Sequence, residues 1–300
     1  MPRILRDVFD YFVRGLLMGG ADIIPGVSGG TIALIVAVYE RLISALSELV
    51  SFGLNVLQAD WAEAAEHWRA VDWHLLLPLG AGIVTALLIG ARFIPGLMAQ
   101  YPAQMRGLFF GLVAASLVIP WLRIERPSPR LAAIALVGAV LAFALVSLPP
   151  RTVAEPGLWR VFGSAAVAIC AMILPGVSGA FLLEVLGIYT PTLEALNAGN
   201  MPYVITFVAG AAGGLALFAK LLNTLLRHYH DATMAALIGL IAGALRALWP
   251  YAAASGALRW PAAGEPVGSV IALGMCGFVA VAGLTWWGHR RRARSTPAQA

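Results

Sequence analysis

Apolar positions along this chain come in long blocks rather than in strict alternation. A helix rising ~1.5 Å per residue needs about 20 apolar residues to cross ~30 Å of hydrocarbon. Six stretches predict such crossings, at about 75–98, 104–122, 131–149, 203–226, 233–250 and 267–288. Two further apolar stretches, at about 12–52 and 160–196, are interrupted by Pro and Gly. Helix interiors resist both residues, since proline lacks a backbone N–H and glycine carries extra backbone entropy. Residues 2–14 alternate charged and bulky apolar positions, which predicts an amphipathic helix lying in the membrane interface. The thirteen residues from Phe12 to Ile24 span about 20 Å, short of a full crossing. A second helix is predicted from near Ser28 to about Phe52, then a polar, Trp-rich loop with a surface helix over 53–74.

The two interruptions carry the same residues. Ile24-Pro25-Gly26-Val27-Ser28-Gly29-Gly30-Thr31 matches Leu174-Pro175-Gly176-Val177-Ser178-Gly179-Ala180-Phe181 at an offset of 150, and Tyr39 matches Tyr189 at the same offset. Further on, the offset becomes 128: Gly82 aligns with Gly210, Arg92 with Lys220, Gly111 with Gly239 and Trp121 with Trp249. The chain therefore divides into two related halves, 1–150 and 151–300. Paired Gly/Pro-broken apolar segments in two halves of a membrane protein point to a transport site.

Composition agrees with the pattern. The chain is 60% hydrophobic and 12% charged, against about 25% charged in soluble domains. This excludes a soluble enzyme or a nucleic-acid-binding domain. The net charge of +5 is a topology signal. Cys170 and Cys276 lie in apolar segments without disulfide or metal spacing, so no cofactor or metal is expected. No cleavable signal peptide is evident. With both motif segments re-entrant and the N-terminus inside, the cytoplasmic side holds Arg3, Arg6, Arg14, Arg41, Arg69, Arg123, Arg126, Arg130, Arg227 and the arginines of 290–294. The outer loops then hold Arg151, Arg160 and Arg259, which satisfies the positive-inside rule. Two full crossings per motif segment would give the same parity. The expected fold is an all-α polytopic membrane protein of two inverted repeats. Each is a re-entrant helical hairpin plus three transmembrane helices, and the hairpin tips meet near the midplane.

Each motif ends one helix and begins another. Ser28 and Ser178 suit N-caps, and the N–H groups of Gly29, Gly30 and Thr31, and of Gly179, Ala180 and Phe181, are then donors at a helix start. Small residues at a helix N-terminus make an anion site; they equally suit a tight helix crossing. Arg92 and Lys220 are repeat-equivalent cations within apolar spans, placed either to meet a phosphate or to snorkel to the interface. Asp22, Glu40 and Glu184 are candidate coupling or ion-pair acids. No nucleophile–base or metal constellation is evident: His67 and His74 flank a loop, and His228 and His230 sit at a basic span end.

The stretch Gly20–Thr31 with Tyr39-Glu40-Arg41, and Met172–Gly179 with Gly187-Ile188-Tyr189, resembles the two signatures of the bacterial undecaprenyl-phosphate (polyprenyl-phosphate) translocase family. The resemblance runs over about 10–285. It implies a multi-pass protein of the bacterial plasma (inner) membrane that returns undecaprenyl phosphate from the outer to the inner leaflet for carrier-lipid recycling in envelope synthesis. Both termini would be cytoplasmic. Ala180 stands where the family's second motif often has Ser, so one hydroxyl of that pattern is missing. The expected partners are undecaprenyl phosphate, membrane lipids and a coupling proton or cation, with no nucleic acid. A transporter or channel for a small soluble anion is the alternative, because the same helix-end physics serves both.

Overall fold

In a bilayer, backbone polar groups must be satisfied within the protein, and a chain this apolar does so with helices. The structure is a computed structural model and describes residues 3–24, 26–251 and 258–295. Pro25 lies outside the described residues, as do the side chains of Arg3, Trp287, Arg290, Arg291, Arg292 and Arg294. Fourteen α-helices are described. The first half holds α1 (Arg3–Asp22), α2 (Gly29–Ile35), α3 (Tyr39–Leu57), α4 (Trp61–Ala70), α5 (Trp73–Gln100), α6 (Pro102–Ser116), α7 (Val118–Trp121) and α8 (Pro129–Leu145). The second holds α9 (Leu158–Ile173), α10 (Gly179–Leu186), α11 (Tyr189–Asn197), α12 (Met201–His228), α13 (His230–Ala244) and α14 (Val267–Ser295), with a 3-10 turn at Leu245–Leu248.

Among the described residues, five segments are long and apolar enough to cross a membrane: Trp73–Gly90, Pro102–Trp121, Met201–His228, His230–Leu248 and Val267–Trp286. The chain is a multi-pass membrane protein. Helix α8 is apolar but has 17 residues, about 25 Å, so it reaches across with little to spare. Helices α10 and α11 are bent by 98°.

The long helices pack in pairs through close-approach glycines. A Cβ on Gly19 would meet Ile83 and Ala86, and one on Gly90 would meet Ile23, so α1 and α5 rise together and run parallel. The pair α9 and α12 is also parallel, with Gly210 against Phe162 and Gly214 against Ala166. In α6 and α14, Gly107 meets Val270 and Gly277 meets Leu108 and Leu112; in α8 and α13, Ala135 meets Gly239 and Ala139 meets Gly243. Both of these pairs are parallel too. Small residues let the backbones approach, which is what drives association where the surrounding lipid is as apolar as the helices.

Two local features differ from the sequence expectation. The interfacial helix over 2–14 and the half-helix to Ile24 are one continuous helix, α1, because nothing between Arg3 and Asp22 breaks it. The helix expected from Ser28 to Phe52 is instead two, α2 and α3, separated by a turn in which Ala37 takes φ +58°. Arg14 donates to the Val36 carbonyl at 2.8 Å and holds that turn. Its repeat equivalent is Gly187, at φ +81°.

Candidate functional site

The first motif turn begins where α1 ends. Gly26 takes φ +84°, a left-handed conformation that costs glycine nothing. Ser28 is then extended at φ −120°, ψ 132° and caps α2. Its Oγ accepts from the Gly30 N–H at 3.2 Å. The Asp22 carboxylate reaches over the turn and accepts from the Gly29 N–H at 2.6 Å. A carboxylate here is favoured by the positive end of α2 and by a charge-assisted hydrogen bond.

The second turn has the same backbone. Gly176 takes φ +89°, and a Cβ there would lie 2.8 Å from the Ile241 Cα. Ser178 caps α10, its Oγ accepting from the Phe181 N–H at 3.4 Å. Met172 occupies the place of Asp22, so no carboxylate covers this helix start. Among the described residues the Gly179 and Ala180 N–H groups have no acceptor. Gly179 is buried against Ala168 of α9, whereas Ala180 is exposed.

The two turns interlock. Ser28 Oγ donates to the Leu174 carbonyl at 3.1 Å. Thr31, fully buried at 0% exposure, accepts through Oγ1 from the Gly176 N–H at 2.9 Å. A Cβ on Gly30 would stand 2.6 Å from the Ile173 carbonyl oxygen. Segments about 145 residues apart therefore share a small polar centre inside an apolar core that includes Ile24, Val27, Ile32 and Ile241. Buried polar groups are expected to find partners in this way.

The remaining candidate residues spread outward. Arg92 is exposed on α5, and Lys220 is half-buried on α12. Neither side chain has an ion pair or hydrogen bond among the described residues. Each lies two residues along its helix, and so on the opposite face, from a position packed on its own half's motif, Gly90 against Ile23 and Leu222 in one core with Leu174. Glu184 is half-buried on α10 and has no side-chain partner among the described residues; its carbonyl accepts from Arg151 N–H at 3.0 Å. Glu40 is away from the turns. It pairs with Arg123, with His230 Nε2 at 3.8 Å from the same oxygen. Asp231 accepts from the Glu125 and Arg126 N–H groups at 3.0 and 2.9 Å and ties α13 to the loop after α7.

Ser28 caps α2 as its residue type predicts. Two contacts differ from the sequence expectation: Thr31 meets the second turn through its hydroxyl rather than its N–H, and Asp22 takes the Gly29 N–H that α2 would have offered a ligand. The signal for Asp22 was present: a carboxylate seven residues before Gly29, on the far side of a two-helix hairpin, can reach the second helix start. Arg41 was placed only as a topology charge; it bridges Asp72 at 2.6 Å and Tyr11 at 2.6 Å, and so fixes α3 to α1 and α5.

An all-helical, multi-pass fold with two broken segments meeting at a polar centre defines a membrane protein of the transporter kind. Its sequence matches, over residues 18–265, the family described as VCA0040-like: Undecaprenyl phosphate translocase-like, and the chain belongs to that family. It is 35% identical over 240 residues to a polyprenyl-phosphate transporter of Vibrio cholerae serotype O1, covering 80% of this chain and 77% of the relative. A polyprenyl-phosphate transporter of Staphylococcus aureus is 26% identical over 257 residues, 79% of this chain and 85% of that protein. No solved structure matches.

Proposed function

We propose that this protein carries undecaprenyl phosphate from the outer to the inner leaflet of the bacterial plasma membrane, and catalyses no bond-making step. The observation that carries the reading is the interlock of the two motif turns, Ser28 on Leu174 and Thr31 on Gly176, in a member of this family. A polar centre in an apolar shell suits a phosphate whose tail stays in lipid.

The parallel helix pairs support an inverted repeat over 1–150 and 151–300. If α5, α6–α7 and α8 each cross once, three crossings separate the start of α5 from the start of α9. Since α1 runs with α5 and α9 with α12, the two hairpins then start from opposite faces and return to them. The arginine distribution favours a cytoplasmic α1 face with both termini on that side.

The phosphate is received at the second turn, where Ser178 and the Gly179 and Ala180 N–H groups begin α10 uncovered. The first turn, with Ser28, Gly29, Gly30 and Thr31, already holds an anion of its own, Asp22. Phosphate competes with that carboxylate, and a proton or cation taken up by Asp22 or Glu184 would release the competition; Glu40 is held in its ion pair with Arg123. Arg92 and Lys220 meet the phosphate as it arrives and leaves.

The test is a leaflet-accessibility assay. Undecaprenyl phosphate is placed in one leaflet of vesicles holding the purified protein, and its appearance in the other is followed. Transfer that needs the protein and drops at least tenfold in Arg92→Ala supports the reading. Uptake of soluble phosphate without lipid transfer would replace it with the anion transporter.

A further inference from the structure

A groove of about 520 Å³ runs between α12 and α13, well inside the ~300–1,000 Å³ of ordinary ligand sites. Its inner end is Leu174, whose carbonyl takes the Ser28 hydrogen bond. Its outer end is Tyr229, exposed at the junction of the two helices. From Phe218 to Tyr229 the α12 wall is about 17 Å long, roughly half the hydrocarbon thickness. The walls are apolar, and the hydroxyl of Thr233 is spent on the Tyr229 carbonyl at 2.9 Å. Ala232 and Ala236 set notches between the larger Leu225, Leu237 and Leu240.

We propose that this groove binds the phosphate-proximal isoprene units of a polyprenyl phosphate while its headgroup sits at the motif turns. The inference rests on the lipid-carrier reading above. A soluble anion gains little from apolar walls whose one unspent hydroxyl, that of Tyr229, stands at the outer end. A bilayer tail gains no hydrophobic free energy by moving from lipid to protein, so shape decides what the groove holds. Notches of alanine between branched leucines take a methyl at regular intervals along a chain, as an isoprenoid has and a straight acyl chain lacks. The groove stops at Leu174, four residues before Ser178, so a tail lying in it leaves the phosphate at the second motif turn.

Site-specific photocrosslinking tests this in the intact protein. A photoreactive side chain replaces Leu225 in the groove or, as a control, Leu217, which is 76% exposed on the same helix. Undecaprenyl phosphate is the probe, with saturated phosphatidic acid as competitor. The Leu225 position is expected to label the probe at least tenfold more than Leu217, and excess phosphatidic acid is expected not to displace it. Equal labelling, or equal displacement by phosphatidic acid, overturns the proposal in favour of a general lipid groove. Ala236→Phe, which fills a notch, should cut leaflet transfer at least fivefold. Full transfer in that variant overturns the groove and leaves the carrier reading standing, whereas a wild-type protein that neither binds nor moves the lipid sinks both.

Discussion

The two motif turns share five residues and a backbone, yet they present different surfaces to a ligand. Gly26 and Gly176 take nearly the same φ, +84° and +89°, and Ser28 and Ser178 both cap the following helix. The first turn is closed. Asp22 takes the Gly29 N–H, Ser28 takes the Gly30 N–H, and Gly30 is pressed on the Ile173 carbonyl. The second is open, with Met172 in place of Asp22 and an exposed Ala180 in place of Gly30. The shared residues give the shared backbone, and the differences at Asp22/Met172 and Gly30/Ala180 cover one helix start and leave the other uncovered. The brace matters because Ser28 and Thr31 of the first turn hold the carbonyl of Leu174 and the N–H of Gly176 in the second.

The sharpest way to break the comparison is at its tightest contact. Gly30→Ala forces a methyl onto a backbone carbonyl and should cost about 2 kcal/mol or more, read as a lower thermal midpoint in detergent. The equivalent Ala180→Gly should change stability by no more than about 1 kcal/mol. Equal losses would mean that the two turns are packed alike.

Next comes the acid. Asp22→Ala removes a charge-assisted hydrogen bond at a helix start and should cost about 2 kcal/mol. Met172→Asp places a carboxylate seven residues before Gly179, copying the first turn into the second. It should reduce lipid transfer at least tenfold, measured in vesicles, because the new carboxylate occupies the start of α10.

How much of this was legible follows from the same residues. The doubled motif, its helix-breaking role and its serine caps are local properties, and local properties are written in sequence. What each N–H does is not, because it depends on which group arrives from elsewhere in the fold. Its place at a helix start makes Thr31 an N–H donor, but its hydroxyl accepts from Gly176 across the molecule. The break between α2 and α3 was hidden for another reason: alanine at 37 carries no turn signal, although alignment with Gly187 offered one.

That pair yields a smaller prediction. A left-handed alanine costs about 1–2 kcal/mol relative to glycine. Ala37→Gly should therefore stabilise the protein by about 1 kcal/mol, and Gly187→Ala, whose Cβ would also press on Val153, should destabilise it by at least as much, in thermal unfolding. The smallest effect lies outside the spans. Arg259 pairs with Glu265 through its two terminal guanidinium nitrogens, and together with the Ala262 N–H it holds the Glu265 carboxyl down to about 2. A carboxyl depressed in the folded state stabilises above its unfolded value of about 4.3 and loses that contribution as pH falls toward 2. Between pH 5 and 3, Glu265→Gln should lose less stability than the wild type; an identical acid profile would mean that the exposed pair contributes nothing measurable.

The central claim is that the joined turns select a phosphate that carries a polyprenyl tail. Native mass spectrometry of the purified protein with undecaprenyl phosphate tests it most directly, with inorganic phosphate and an uncharged polyprenol as competitors. The account predicts that the lipid phosphate is retained against both and that retention falls in Ser178→Ala and Arg92→Ala. Displacement by inorganic phosphate at equal concentration, or unchanged retention in both variants, would contradict it.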